Sequence, residues 1–329
     1  MLRRSLLALS IVLPALPALP ALAQEAWPSR PITLMAGFPN GSGVDIYQRK
    51  LAEPLSRALG VPVVVDNRTG AGGNIGSDFV AKARPDGYTI LLATAGTHAI
   101  NATLYRRLPF DPLNDVSHIA MLGDVPNLLT TSIDHRPNFN SCADVLAAAR
   151  ARPGALNYAS TGNGASTHLA GVQFAQAAGI DVVHVPYRGQ PGAQLALLSG
   201  DVDFFFNQVG PALGAVQQGK TRGLAVTTPT RLSILPDVPT VAEACDLPGF
   251  SSTTWYGIVG PPGMPAPIVA RLNAEILKIL DAPEFQGWLV QSQGISPPTA
   301  RTPEEFRAVH ERDIASWRTV IQRSGATVD

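Results

Sequence analysis

The chain has 329 residues, of which 45% are apolar and 15% charged, with 25 basic side chains against 25 acidic ones. That balance argues against a nucleic-acid or anionic-membrane surface, and the length supports about two domains with substantial cores. Without Arg3 and Arg4, which lie in the leader described next, the balance tips slightly acidic.

Residues 1–23 carry Arg3 and Arg4, then an uncharged apolar run, then Ala21-Leu-Ala23 ahead of Gln24. This is the pattern of a secretory signal peptide cleaved after Ala23, so the mature chain is expected to be exported. Pro14, Pro17 and Pro20 interrupt the run and disfavour a retained membrane anchor.

A first buried strand is expected within residues 31–38, followed by Pro39-Asn-Gly-Ser-Gly43 and a helix over 44–59. Tyr47, Leu51, Leu55 and Leu59 recur every four residues, and Gly60 stands where a helix end favours positive φ. Pro54 is expected to kink that helix or shorten its regular part. The stretch 63–92 joins a strand, a glycine-rich loop, a short helix, the turn Pro85-Asp-Gly87 and a second strand, the rhythm of a βαβ unit. The second strand ends in the loop Thr94-Ala-Gly-Thr-His98.

Farther on, a strand at 156–160 feeds Thr161-Gly-Asn-Gly164 and a helix over 165–178 closed by Gly179. A strand at 182–187, a helix at 191–198 and strands at 202–206 and 223–227 follow. The alternation predicts α/β architecture with mainly parallel strands, in two sheets. Residues 229–267 are rich in proline around the apolar run 255–259 and read as a crossover between domains; helices over 267–280 and 303–323 complete the chain. Cys142 and Cys245 fit either one disulfide in an oxidising compartment or two buried thiols.

Glycine-rich loops invite a nucleotide reading, but Gly70, Gly72, Gly73 and Gly76 lack the dinucleotide spacing and no phosphate-loop lysine follows any of them. The six histidines form no metal-binding pattern, so no metal and no cofactor are expected. Gly164-Ala-Ser-Thr-His168 comes near the nucleophile motif of α/β hydrolases, with Ser166 as the alternative nucleophile; residues two apart on a helix do not face each other, which weakens a Ser166–His168 pair.

What remains is anion binding by backbone. The loops 39–43 and 161–165 each place small residues at a helix start, where free N–H groups and the positive end of the helix dipole favour a carboxylate. A micromolar ligand needs about −8 kcal/mol, whereas a helix terminus supplies about 0.3–1 and a charge-assisted hydrogen bond about 1.5–3. One loop is therefore insufficient, and closure of two domains with several donors is required. Ser42, Thr97, Ser160, Thr161, Ser166 and Asn207 are the hydroxyl and amide candidates at strand ends.

Several motifs in order resemble the Bug/TctC family, the periplasmic solute receptors of tripartite tricarboxylate transporters. They are Phe38-Pro-Asn-Gly-Ser-Gly-Val-Asp45, Val65-Asp-Asn-Arg68, Pro85-Asp-Gly-Tyr-Thr89, the run from Tyr158 through Ser160 and Ser166 to Leu169, Val185-Pro-Tyr-Arg-Gly189, Gly200-Asp-Val-Asp203, Leu235-Pro-Asp-Val-Pro-Thr240 and Trp255-Tyr-Gly-Ile-Val-Gly-Pro261. The resemblance implies a periplasmic binding protein type II (Venus flytrap) fold, two α/β domains joined by two crossovers with the ligand cleft between them. Domain 1 is expected over 24–125 and 248–329, and domain 2 over 126–247. It implies a first ligand loop at Phe38, Asn40 and Ser42 and a second at Ser160, Thr161, Gly164, Ala165 and Ser166. Thr97 is then placed beside the first loop and Asp203 and Asn207 on the opposite wall, where Asp203 either meets a ligand amino or hydroxyl group or caps a loop. Asn40 with Gly41-Ser-Gly43 departs from the family's usual glycine run, and Ala165 stands where a serine-like residue is frequent.

The implied function is a non-enzymatic receptor, monomeric and without nucleic-acid partners, that binds a small organic acid and delivers it to tripartite tricarboxylate-type membrane transporter subunits. The alternatives are a secreted hydrolase using Ser166, or a receptor of the same fold that signals to a sensor kinase.

Overall fold

The computed structural model describes residues 27–324, 327 and 328, so the leader expected at 1–23 lies outside the described residues. Strand β1 (Ile32–Ala36) leads into helix α1 (Gly43–Leu59). Ser42 caps α1 by accepting from the Asp45 N–H at 3.2 Å, and Gly60 ends it at φ 74°. The spacing of Tyr47, Leu51, Leu55 and Leu59 puts all four on the buried face. Pro54 does not shorten the helix, which runs unbroken through it.

Next come β2 (Val63–Asn67), α2 (Asn74–Ala81) and β3 (Thr89–Thr94). The loop expected after β3 is instead a wide helical turn at Gly96–Ile100 running into α3 (Asn101–Leu104). Several elements lacked a sequence expectation, among them β4 (Ser117–Ser132) and α4 (Cys142–Ala151), the latter started by a reciprocal Ser141–Asp144 cap. Then β5 (Asn157–Ser160), α5 (Ser166–Ala178), β6 (Val183–Pro186), α6 (Gln190–Ser199), β7 (Phe204–Gln208), α7 (Val209–Gln217) and β8 (Thr221–Val226) alternate. The chain closes with α8 (Val241–Ala244), β9 (Thr253–Gly260), α9 (Ala266–Asp281), α10 (Pro283–Trp288) and α11 (Pro303–Ser324).

The strands form one connected sheet in the order β2-β1-β3-β9-β4-β7-β5-β6, with β8 also on β4. This corrects the expectation of two mainly parallel sheets. The pairs among β1, β2 and β3 and those of β5 with β6 and β7 are parallel, but β9 runs antiparallel to β3 and β4, and β4 antiparallel to β7 and β8. The physical reason is β4 itself: its first part pairs with β9 and its last part with β7 and β8, so one strand serves both halves. Register shifts after His118, Met121 and Leu129 let so long a strand bend between them. The chain leaves the first half along β4 and returns along β9.

Each half has its own core. Leu34, Tyr47, Leu51, Leu55, Ile258 and Ile276 pack on one side of the first half, and Leu91, Trp255, Phe306 and Trp317 on the other. In the second half Phe174, Phe204 and Phe206 pack beside Cys142 and Cys245. Those cysteines are joined, with Cα atoms 5.4 Å apart, tying the start of α4 to the end of α8. Among the described residues no helix is long and apolar enough to cross a membrane.

Candidate functional site

In the parallel parts of the sheet, β1 and β3 from one half and β5, β6 and β7 from the other end at a common crevice, the place where open α/β sheets leave backbone groups and loops free for a ligand. Phe38, Ser42 and Val44 line it at the start of α1, with Thr94 and Gly96 after β3. Thr161, Ala165, Ser166, Gly189, Gln190 and Gln208 face them from the second half, and Thr254 and Tyr256 of β9 lie between. No lining side chain is charged. The N–H groups of Gly43 and Val44 on α1, and of Ser166 and Thr167 on α5, belong to first turns and have no intrahelical partner. Two helix N-termini from opposite halves therefore supply the positive potential of the crevice.

The halves are close together. A Cβ on Gly96 would stand 2.9 Å from the Gly164 carbonyl oxygen, and one on Gly164 would collide with Asn101 Oδ1. The cavity between the halves, partly open to solvent, measures about 30 Å³. It adjoins an open recess of about 490 Å³ bordered by Phe38, the glycine-rich turn at 69–73, Tyr187 and Arg188.

Behind the second loop, the rings of His168 and His184 stack at 3.8 Å. His168 Nδ1 accepts from the Gly164 N–H at 3.2 Å, and His184 Nε2 lies 2.6 Å from Ser160 Oγ. Burial, and then the neighbouring His184, push His168 down to about 3; burial alone pushes His184 down to about 4. Both rings are neutral supports for the loop at pH 7. On the other side Gln208 Nε2 donates to the Tyr256 hydroxyl at 2.7 Å, and burial raises Tyr256 well above the usual phenol range.

The structure brings Phe38, Ser42, Thr161, Ala165 and Ser166 together around the cavity. Asn40 is exposed and does not line the cavity. Gly164 forms the close approach to the first half. Thr97 lies one layer back, 2% exposed, with its hydroxyl 2.7 Å from His98 Nδ1 and bonded to Thr94. Ser160 is turned to His184. Asn207 is buried beside α6, where its Nδ2 donates to Gln194 Oε1 at 2.7 Å.

Asp203 is placed away from the wall expected for it. It precedes β7, at the opposite end from the crevice, where its carboxylate pairs with Arg136 and accepts from the Asn157 N–H at 2.7 Å. Of its two expected roles the structure gives it the loop-capping one. Nor does Ser166 find a base, because His168 Nδ1 is taken by Gly164 and His184 Nε2 by Ser160.

Gln190, Gln208, Thr94, Thr254 and Tyr256 line the crevice but were not among the site residues expected from the sequence. Gln190 directly follows the Val185-to-Gly189 motif at a helix start and Gln208 ends a strand, so their positions carried a signal although amide side chains form no motif. Thr254 and Tyr256 were hidden in the stretch read as a crossover.

A family model described as "Tripartite tricarboxylate transporter family receptor" matches residues 47–326. The chain is 39% identical over 297 residues to the "UPF0065 protein in tcbD-tcbE intergenic region" of Pseudomonas sp. (strain P51), covering 90% of this chain and 87% of that protein. Among solved structures it is similar to Rpa4515 of R. palustris with adipate, at a TM-score of 0.87 and 33% identity, covering 92% of this chain and 100% of the other. It is also similar to MatC (Rpa3494) from Rhodopseudomonas palustris with bound malate, at a TM-score of 0.83 and 30% identity over 90% of this chain and 100% of that one.

Proposed function

The chain belongs to the tripartite tricarboxylate transporter family receptors and has the α/β periplasmic-binding-protein fold of its solved relatives; from that membership and the crevice we propose that it is an extracytoplasmic receptor for a small organic carboxylate, which it delivers to a tripartite tricarboxylate-type membrane transporter. The observation that carries this reading is the meeting of two helix N-termini, α1 and α5, over a lining without charged side chains. A carboxylate there accepts from first-turn N–H groups on both sides, with the hydroxyls of Ser42, Thr161 and Ser166 as further donors. Several such bonds at about 1.5–3 kcal/mol each reach the roughly −8 kcal/mol of a micromolar ligand, provided water is excluded.

A cavity of about 30 Å³ holds one or two waters, so a carboxylate enters when the halves separate and is held when they approach again. The moving bodies on this reading are residues 24–125 with 248–329, and 126–247. The leader is removed after Ala23, the receptor works as a monomer in the periplasm, and no bond of the ligand is made or broken. Adipate and malate in two similar proteins support small dicarboxylates as the first class to try.

The test is a thermal-shift screen of refolded, ligand-stripped protein against mono-, di- and tricarboxylates. A ligand that binds the native state raises the melting temperature by mass action. A rise with one class of acid is expected; no rise with any acid would overturn the carboxylate reading.

A further inference from the structure

Gln190 opens α6 directly after Gly189, and its side chain lines the cavity. It is 4% exposed, and neither Nε2 nor Oε1 has a hydrogen-bond partner in the protein. An amide that has given up water at both ends is destabilising unless something meets it. The neighbouring wall has the same character: the bond from Asn207 to Gln194, one turn further along α6, leaves Asn207 Oδ1 and Gln194 Nε2 unpartnered as well. Gln208, the other amide of the lining, already donates to Tyr256.

We propose that Gln190 sets the ligand class of this receptor, on the carboxylate reading above, by recognising a hydroxyl beside the carboxylate of a 2-hydroxy acid. Nε2 donates to a carboxylate oxygen while the ligand hydroxyl donates to Oε1. The two oxygens of a 2-hydroxy acid are close enough together to meet both ends of one amide. A bare carboxylate offers acceptors only, so whichever way the amide is turned Oε1 remains unmet or faces an anionic oxygen. A 2-amino acid also brings a donor, but its ammonium needs a carboxylate partner and none lines the cavity. Sites that bury a polar group for one substituent reject the analogue lacking it far more strongly than apolar pockets reject a missing methylene.

The experiment is calorimetric titration of the ligand-stripped receptor with acids that differ by one hydroxyl: malate against succinate, 2-hydroxyadipate against adipate, lactate against propionate. In at least one pair the hydroxy acid is expected to bind about tenfold tighter or more. Gln190→Leu, which keeps the bulk without the amide, should bring that ratio to about one, because the hydroxy acid loses both bonds to the amide whereas the plain acid loses only the one from Nε2. Gln190→Met serves if the leucine variant fails to melt cooperatively. Equal binding within every pair, or a preference that survives loss of the amide, overturns the role of Gln190 while the receptor reading stands. Silence from all six acids overturns this inference, while the carboxylate reading stands or falls with the wider screen that includes tricarboxylates.

Discussion

Gly96 and Gly164 face each other across the crevice so closely that a Cβ on Gly96 would lie 2.9 Å from the Gly164 carbonyl oxygen. Neither residue contributes a side chain, yet together they set how far the halves can approach. On the receptor reading proposed above, closure brings donors from α1 and α5 onto one ligand, and the absence of a methyl group at position 96 then belongs to the binding site.

Gly96→Ala is expected to hold the halves a few tenths of an ångström apart and to weaken carboxylate binding about tenfold, or ~1.4 kcal/mol. The melting temperature of the unliganded protein should fall only slightly, because the harder clash is with the Gly164 carbonyl across the halves and the contact inside the first half, with Thr94 Oγ1, is a milder 3.2 Å. Gly214→Ala on α7, where a Cβ would meet nothing within 4 Å, is the control and should be neutral or slightly stabilising. Unchanged affinity in Gly96→Ala would show that the approach of these glycines does not limit binding.

The bond between Cys142 and Cys245 closes a sequence separation of 103 residues inside one core. Replacing both with alanine should cost about 2–4 kcal/mol, chiefly through the freed unfolded chain, and lower the melting temperature by roughly 5–15 °C. Ligand affinity at 20 °C should be retained, since neither cysteine lines the crevice. Equal melting temperatures with and without the bond would contradict this.

Much of the fold was legible because it is local. The four-residue spacing from Tyr47 to Leu59 reports one buried helix face, and Gly60 and Gly179 mark helix ends at positive φ. Ser42, Thr161 and Ser166, which line the crevice, were readable as candidates because a small residue at or just before a helix start has a mechanism attached to it. β4 was not legible: it is buried along nearly its whole length, so its side chains do not alternate, and Gly123 and Pro126 break the run. Its antiparallel partners come from distant segments, which no local pattern encodes. Asp203 lay in a family motif with a polar side chain near a strand, and only its position at the far end of β7 separates a cap from a ligand contact.

Acid should destabilise the protein below pH 6.5. Burial pushes His118 and His168 down to about 3 and His184 and His310 to about 4, from an ordinary value of 6.5. Because each folded value lies below the unfolded one, the unfolded chain binds more protons between pH 6.5 and about 4, and stability is lost as pH falls through that window. Each such group contributes a slope of about 1.4 kcal/mol per pH unit. Asp313, raised to about 6 chiefly by burial, has the opposite sign and gains stability as pH falls from about 6 to 3.8, offsetting one histidine. Urea titrations at pH 7 and pH 5 should show the loss, and His184→Gln should make it smaller. Equal stability at the two pH values would contradict neutral buried imidazoles.

Asp203→Asn separates a structural acid from a ligand contact, because the two roles move different observables. In the structure the carboxylate pairs with Arg136 and accepts from the Asn157 N–H, binding β5 to the loop before β7. Its side chain is 8% exposed against 35% for Arg136, so the pair lies at the edge of the core rather than in open solvent. Removing the charge weakens hydrogen bonds to a charged group, worth about 1.5–3 kcal/mol, and leaves the guanidinium short of its partner. The expected result is a lower melting temperature by about 4–10 °C with carboxylate affinity unchanged within roughly twofold, since the strand places this residue at the end remote from Gln208 and the crevice. Calorimetry on the variant decides the matter: a loss of affinity of about tenfold or more with an unchanged melting temperature would return Asp203 to the ligand wall and require the second half to bind its ligand in a way that the position of β7 does not allow.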